Sequence, residues 1–196
     1  MDALLTLVVT FMLQGSKLVV SYSVTNHSPQ VVYLTNHASR IEPGKGAVPD
    51  RSVALVYFEN GDVVHVTKRN PPAPSDRFYT PRPHYVTPLP PKDKFTESFA
   101  LPLPLKEYIP YQSVKAGGKQ GLAHEIYFSI GYIVKKASIE AVELQRAGEK
   151  VYLIRSTLKK EENPPDRPVE PVVENFLVSE RFKMEIPLIL PVKEQR

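Results

Sequence analysis

The sequence contains no cysteine and no tryptophan among its 196 residues, and no apolar stretch long enough to cross a bilayer as a helix. Without cysteine the chain forms no disulfide, no thiolate metal site and no cysteine nucleophile. Its 25 Lys and Arg and 21 Asp and Glu leave a net charge of only +4, and these charges are scattered along the chain. Such a distribution provides no basic surface for DNA or RNA, so we expect no nucleic-acid partner. Because no apolar stretch is long enough, we also expect no transmembrane segment.

The N-terminal apolar run, residues 3–13, has the length of a signal-peptide core. No Lys or Arg precedes it, and no small-residue cleavage pattern follows it. The apolar side chains alternate along the run, which is typical of a half-buried strand, at Leu5, Leu7, Val9, Phe11 and Leu13. We therefore predict a strand. The compartment stays open: we expect a periplasmic or cell-envelope protein if a leader has been trimmed, and a cytoplasmic one otherwise.

The same alternation continues beyond this run, in a chain whose size and 42% apolar content suit one folded domain. Turn residues at 14–16 and 26–29 bound the segment Lys17–Asn26, whose apolar side chains share one face. A third strand is predicted at Gln30–Thr35. Three strands so close in sequence favour a meander.

Two hairpins are predicted further along the chain. Asn60-Gly61 lies between two β-rich arms over residues 53–68 and favours a two-residue type I′ turn. This turn would pair Glu59 with Asp62, and one face would collect the apolar residues at 53, 55, 57, 64 and 66. The second hairpin is predicted over Ala141–Ser156, with its turn at residues 146–149.

Prolines in two further strands indicate sheet edges. Phe95–Leu105 and Phe182–Val192 each contain two prolines of one parity, at positions 102 and 104 and at positions 187 and 191. Alternate N–H groups of a strand point to the same side, so these prolines remove only donors that face away from a neighbour. Open edges fit two packed sheets better than a closed barrel. The predicted fold class is therefore all-β, an antiparallel β-sandwich formed as a single domain by residues 1–196.

The opening strands carry the pattern Leu18-x-Val20-x-Tyr22-x-Val24-x-Asn26, a short turn and then Val31-Val32-Tyr33-Leu34. This pattern resembles the first strands of immunoglobulin-like domains in bacterial accessory proteins, and it covers about the first third of the chain. The resemblance implies an immunoglobulin-like sandwich from a bacterial envelope or accessory protein. The Cys and Trp of true immunoglobulin domains are absent, so it implies no functional residue.

No motif in the chain matches an active site. The histidines at 27, 37, 65, 84 and 124 are the only candidates for imidazole chemistry, and the strand predicted between the first two holds them apart. His124-Glu125 lacks the second histidine of a zinc-protease motif, and Ser156-x-x-Lys159 lacks its companion elements. Residues 117–121 depart from the phosphate-binding pattern and predict a mobile loop. We therefore expect a non-enzymatic protein without a cofactor or a metal.

The feature least explained by folding is the connection at residues 70–93, predicted as an extended loop with eight prolines. Prolines restrict the free chain, so such a loop can present side chains to a partner at reduced entropic cost. Tyrosine and arginine are also enriched at interface hot spots. The leading hypothesis is therefore a binding module for another protein. Its partner-binding residues would be Arg77, Phe78, Tyr79, Arg82, His84 and Tyr85.

Three alternatives remain. The same loop could pack over the open end of the sandwich as a lid. A carbohydrate-binding sandwich would need an exposed aromatic platform from among Tyr79, Tyr85, Tyr108 and Tyr111. A hydrolase or metal enzyme would need a site assembled from residues distant in sequence. A second proline-rich loop, acidic in character, is predicted at residues 161–175, and the sequence does not indicate an oligomeric state.

Overall fold

The computed structural model describes residues 4–42, 46–69, 85–108, 118–146, 149–156 and 173–191. These residues form strands and turns, and they include no helix that could cross a membrane. In chain order the strands are β1 (Leu5–Gln14), β2 (Lys17–Asn26), β3 (Val32–Leu34), β4 (Ala38–Glu42), β5 (Gly46–Asp50), β6 (Leu55–Glu59), β7 (Val63–Lys68), β8 (Tyr85–Leu89), β9 (Lys94–Pro102), β10 (Leu105–Lys106), β11 (Gly118–Val134), β12 (Ile139–Arg146), β13 (Glu149–Ser156), β14 (Asn175–Val178) and β15 (Phe182–Pro191).

These strands form two main sheets and one separate hairpin. The small sheet has the order β1–β2–β9. The large sheet runs β10–β15–β11–β3–β8–β13–β12, and β14 and β7 also pair with β11 while β6 pairs with β7. The separate hairpin is β4–β5. Pairing is antiparallel except at β10–β15 and β7–β11, so the predicted all-β class with antiparallel sandwich sheets is confirmed.

The core lies between the two sheets because each strand turns alternate side chains inward. Every second residue of β2 is buried from Leu18 onward. The inward side chains of β11, among them Phe128, complete the same cluster, and the ring centroids of Tyr22 and Phe128 lie 4.7 Å apart. A second, smaller cluster is built around Val86 and Ile133, where the large sheet continues into β8, β13 and β12.

Several local predictions are confirmed. The N-terminal run forms β1, and Gly15 turns it into β2 with a positive φ of 56°. β12 and β13 form the second predicted hairpin, with Arg146 paired to Glu149. β9 is an edge of the small sheet. The sheet edge predicted at Phe182–Val192 was wrong, because β15 lies between β10 and β11 and β10 pairs with it at Leu188 and Ile189.

The prediction of an N-terminal meander was wrong. β3 does not pair with β2; it pairs with β11 and β8 in the large sheet. The turn after β2 is held by Asn26, whose fully buried amide donates to the carbonyl oxygens of Gln30, Leu89 and Pro90. The chain therefore passes from one sheet to the other at this point.

The predicted register of the β6–β7 hairpin was wrong by one residue. The turn itself has positive φ at both Asn60 and Gly61, as a type I′ turn requires. Glu59 nevertheless pairs with Val63 rather than Asp62. The Asp62 carbonyl accepts the His124 N–H at 3.0 Å, because β11 lies beside this turn. The hairpin residues that join the core cluster between the sheets are consequently those at 56, 64 and 66, whereas Leu55, which is also fully buried, and Tyr57 lie outside this cluster.

Residues 118–121, predicted as part of a mobile loop, instead begin β11 and pair with β15. Glycine is needed here because β15 comes very close. An added Cβ at Gly118 would lie 2.4 Å from the Leu190 carbonyl oxygen, and one at Gly121 would lie 2.9 Å from a Leu190 methyl group. Residue 117 lies outside the described residues.

Candidate functional site

The predicted partner-binding residues are only partly described by the structure. Arg77, Phe78, Tyr79, Arg82 and His84 lie outside the described residues, as does the predicted loop at 161–175 up to residue 172. The last predicted residue, Tyr85, is described, and it was wrongly assigned to an exposed loop.

Tyr85 begins β8 and is only 4% exposed. β8 lies within the large sheet, between β3 and β13, where Tyr85 pairs with Leu153. The connection predicted at 70–93 is therefore interrupted by a strand. The prolines at 88, 90 and 91 did not prevent strand formation, because Pro88 pairs with Tyr33 near the end of β8 and the other two follow it.

A row of aromatic rings crosses the face of the large sheet that points away from the core. Tyr57, His65 and Tyr127 are neighbours in register on β6, β7 and β11. The His65 ring stacks on Tyr127 at 4.2 Å between centroids with an interplanar angle of 11°. Tyr57 lies 5.7 Å from His65 on the other side. The His65 ring therefore packs against Tyr127 on one side and Tyr57 on the other, whereas the rings of a carbohydrate-binding platform would turn one face to solvent.

Charged groups flank this aromatic row. The Tyr127 hydroxyl donates to Glu59, and burial, together with this carboxylate, raises the pKa of Tyr127 to about 12. Arg181 contacts Glu125 at 3.2 Å and Glu59 at 3.6 Å. Burial lowers the pKa of His65 to about 4. The row is thus a neutral imidazole between aromatic rings with an ion-pair network at its end.

Among the tyrosines named for a sugar platform, Tyr79 and Tyr111 lie outside the described residues and Tyr85 is buried. Tyr108 is 41% exposed. Its backbone exchanges two hydrogen bonds with Val56, at 2.9 and 3.2 Å. This bridge fixes Tyr108 beside β6.

A second group of polar side chains, which was not predicted from the sequence, lies inside the sandwich. The fully buried Lys68 ammonium lies 3.7 Å from the Glu97 carboxylate, donates to the Arg51 carbonyl and lies 4.4 Å from the centre of the Phe99 ring. The Tyr22 hydroxyl donates to the same carboxylate. Strands β7, β9 and β2 thus place a cation (Lys68), an anion (Glu97) and a phenol (Tyr22) together in the core.

The buried surroundings shift the ionisation of this cluster. Burial, and then the nearby Glu97 carboxylate, raises the pKa of Tyr22 well above its usual value. Burial lowers the pKa of Lys68, and Glu97 opposes this shift. A lysine with a lowered pKa is a base or nucleophile when a substrate can reach it. Lys68, however, is 0% exposed, so the arrangement serves the fold rather than chemistry on an external molecule.

His37 lies next to this cluster and is 1% exposed. Arg51 donates from Nε to the His37 Nε2 at 3.1 Å, which requires that nitrogen to carry no proton. Nδ1 has no hydrogen-bond partner among the described residues. Burial, followed by the charges of Arg51 and Lys68, lowers the pKa of His37 to about 4. The described residues contain no group of three or more His, Asp and Glu side chains that could hold a metal ion.

A further candidate site is an apolar cleft of about 610 Å³ between the start of β6 and the β9–β10 segment. Nine of its twelve lining residues are aliphatic or proline, and only Ser52, Lys106 and Tyr108 carry polar side chains. The lining residues are 52–54, 56, 100–106 and 108. Its volume lies within the range of small-ligand and anchor pockets in proteins.

The polar side chains of the cleft do not form a catalytic arrangement. The Ser52 hydroxyl donates to Asp50 at 2.7 Å, and no histidine is among the lining residues. None of the buried Lys68 cluster lines it either. The cleft can therefore exclude water from an apolar group, but its lining offers no activated nucleophile.

Comparison with protein-family models, with curated proteins and with solved structures found no match to this chain.

Proposed function

We propose that the chain is a non-enzymatic binding module that holds an apolar segment of another polypeptide in the cleft between β6 and the β9–β10 segment. The observation that carries the proposal is the cleft itself: it is large, its lining is almost entirely apolar, and its few polar groups lie without a nucleophile and base pair. Apolar pockets with sparse polar groups are typical of sites that bind by burial of surface.

Two side chains at the cleft favour a polypeptide as the ligand. Tyr108 offers a partly exposed ring and Lys106 an exposed ammonium beside an apolar pocket. An aromatic ring and a cation beside a pocket can anchor a peptide side chain and orient its backbone or an acidic neighbour. The partner-binding role of the loop residues Arg77, Phe78, Tyr79, Arg82 and His84, which lie outside the described residues, stays a separate prediction.

We also propose that the architecture is immunoglobulin-like and of the bacterial accessory type that the opening strands resemble. The strand order supports this part of the proposal. In immunoglobulin domains the first, second and fifth strands share one sheet, and the third, sixth and seventh share the other. β1–β2–β9 and β3–β11–β15 follow the same division once the inserted strands are set aside.

The test is a peptide-display selection against the immobilised protein. Enriched peptides should carry apolar or aromatic residues, and they should lose binding to Leu103→Asp, which places a carboxylate in the cleft. A second variant, Tyr108→Ala, should weaken binding and leave the core packing unchanged, because Tyr108 is 41% exposed. The matched control is Leu122→Asp, because Leu122 is a 43% exposed leucine outside the cleft.

A selection that enriches nothing would contradict the proposal. So would peptides that bind wild type, Leu103→Asp and Tyr108→Ala equally well.

A further inference from the structure

Within the part of the chain that the structure describes, β1 is an end strand of the small sheet with one side unpaired. It pairs only with β2 among the described residues, and its register continues through all ten pairs without a bulge. The strand Leu5–Gln14 contains no charged residue and no proline. Natural proteins commonly protect such an edge with lysine, proline or a bulge, because its free N–H and C=O groups can pair with another strand.

The end strands β9, β10 and β12 of the two sheets carry charged residues or proline. β9, the opposite edge of the small sheet, begins at Lys94 and ends at Pro102. In the large sheet, the end strand β12 contains Glu140 and Glu143, and the end strand β10 ends at Lys106. Of the end strands β1, β9, β10 and β12, only β1 contains neither a charged residue nor a proline, so β1 is the one best suited to pair with a further strand.

The turn between β1 and β2 defines which backbone groups are free. Gly15 and Ser16 form a two-residue turn, so Gln14 and Lys17 form a hydrogen-bonded pair, and even-numbered residues of β1 bond to β2. The carbonyl of Leu4 accepts the His27 N–H at 2.9 Å, in agreement with this parity. The N–H groups of Leu7, Val9 and Phe11 therefore point away from β2. β14 approaches β1 but pairs with β11.

The exposed side chains of β1 carry no charge that would repel a second strand. Val8 is 58% exposed and Met12 is 51% exposed, on the face of the small sheet that points away from the core. Thr6, Thr10 and Gln14 are the other exposed residues of β1 on this face. A strand without charge, with apolar and β-branched side chains on both faces, can lie antiparallel to an identical strand without any like-charge contact.

We propose that β1 pairs antiparallel with β1 of a second copy of this chain, so that two small sheets join into one continuous six-stranded sheet. Two-fold pairing brings the same edge of each copy together, as in most protein homodimers. In the register that centres on Val9, Val8 of one copy faces Thr10 of the other. This self-association is independent of the cleft and of the function proposed for it.

The proposal is tested with a double variant and a matched control. Val8→Glu with Thr10→Glu places two pairs of like charges across the joined strands, and it should raise the dimer dissociation constant by about tenfold or more. Thr96→Glu with Ser98→Glu adds the same charge on the same face of the same sheet, but on β9. Light scattering coupled to gel filtration, over about a hundredfold range of protein concentration, gives the oligomeric state of each.

Hydrogen exchange on the wild type provides a second measurement that does not depend on a variant folding. In the dimer the amides of Leu7, Val9 and Phe11 should be protected at high concentration and exchange faster on dilution, whereas those of Val8 and Thr10 should be protected at both.

A wild type that is monomeric throughout the concentration range would overturn the proposal, even if the edge accepts a foreign strand. A dimer that survives Val8→Glu with Thr10→Glu, or that leaves the odd-numbered amides unprotected, would also overturn it. A dimer lost in this variant and kept in the β9 control supports it.

Discussion

Replacing Glu97 with glutamine tests whether the buried ion pair with Lys68 holds the two sheets together. Glu97 lies on β9 in the small sheet, and Lys68 ends β7 in the large sheet. The substitution keeps the size of the side chain but removes its charge and replaces one acceptor oxygen with an NH2 donor. The Lys68 ammonium would then keep the Arg51 carbonyl and the Phe99 ring as contacts and Asp50 as a nearby negative charge.

The magnitude follows from the burial of Lys68. At the observed 3.7 Å separation, two unit charges attract by roughly 4 kcal/mol at an effective dielectric constant of about 20. Removing one partner of a buried pair typically costs about 3–5 kcal/mol of the free energy of unfolding. We expect about 3 kcal/mol for Glu97→Gln, because Lys68, whose pKa is already lowered by burial, can lose its proton.

Urea unfolding of wild type, Glu97→Gln, Lys68→Met and the double variant measures the coupling. The double variant removes both charges, so it should cost less than the sum of the two single changes by about 2 kcal/mol. Wild-type unfolding measured in parallel controls for changes in the dependence on urea. A loss of less than about 1 kcal/mol in the free energy of unfolding for Glu97→Gln, or strictly additive losses in the double variant, would show that the ion pair does not hold the sheets together.

Three further predictions concern stability. The pKa values of His37 and His65 are lowered to about 4 from 6.5, so the unfolded chain binds more protons between these values and the free energy of unfolding should fall by about 1 kcal/mol per histidine for each pH unit of acidification near pH 5. Denaturation at several pH values should show a flatter dependence for His65→Phe, and an unchanged slope would contradict the assignment. Asn26→Ala removes three buried hydrogen bonds to carbonyls and should cost about 3 kcal/mol in urea unfolding; a loss within error of zero would contradict the role of this amide. Gly118→Ala should lower the melting temperature by an amount equivalent to about 1–3 kcal/mol, since the clash is with a backbone oxygen; an unchanged melting temperature would show that β15 can move away.

Local alternation was sufficient to predict most individual strands. β2 was predicted with its observed bounds, because its polar and apolar residues alternate without a break between two turns. Sheet membership was not predictable in the same way. The separation of β3 from β2 depends on the buried Asn26 amide and its three carbonyl acceptors, two of which lie more than 60 residues away.

The hairpin register shows a similar limit. Asn60-Gly61 correctly indicated the type of turn, but the pairing moved by one residue because the Asp62 carbonyl bonds to β11. Such a contact between distant segments leaves no trace in the local pattern.

The buried ion pair could have been found from parity. Glu97 shares the parity of the inward residues Phe95 and Phe99 in β9, and Lys68 shares that of Val64 and Val66 in β7. Opposite charges at two inward positions predict a pair inside the core. The apolar cleft had no such signal, because it is formed by segments whose spacing depends on the whole fold.

The most direct test of the proposed binding site is a crystal or NMR screen of the protein with a set of small apolar and aromatic fragments. Fragments should gather between β6 and the β9–β10 segment, in contact with Leu103 and Tyr108. Fragments that gather elsewhere on the described surface, or that leave this cleft empty at saturating concentration, would contradict it.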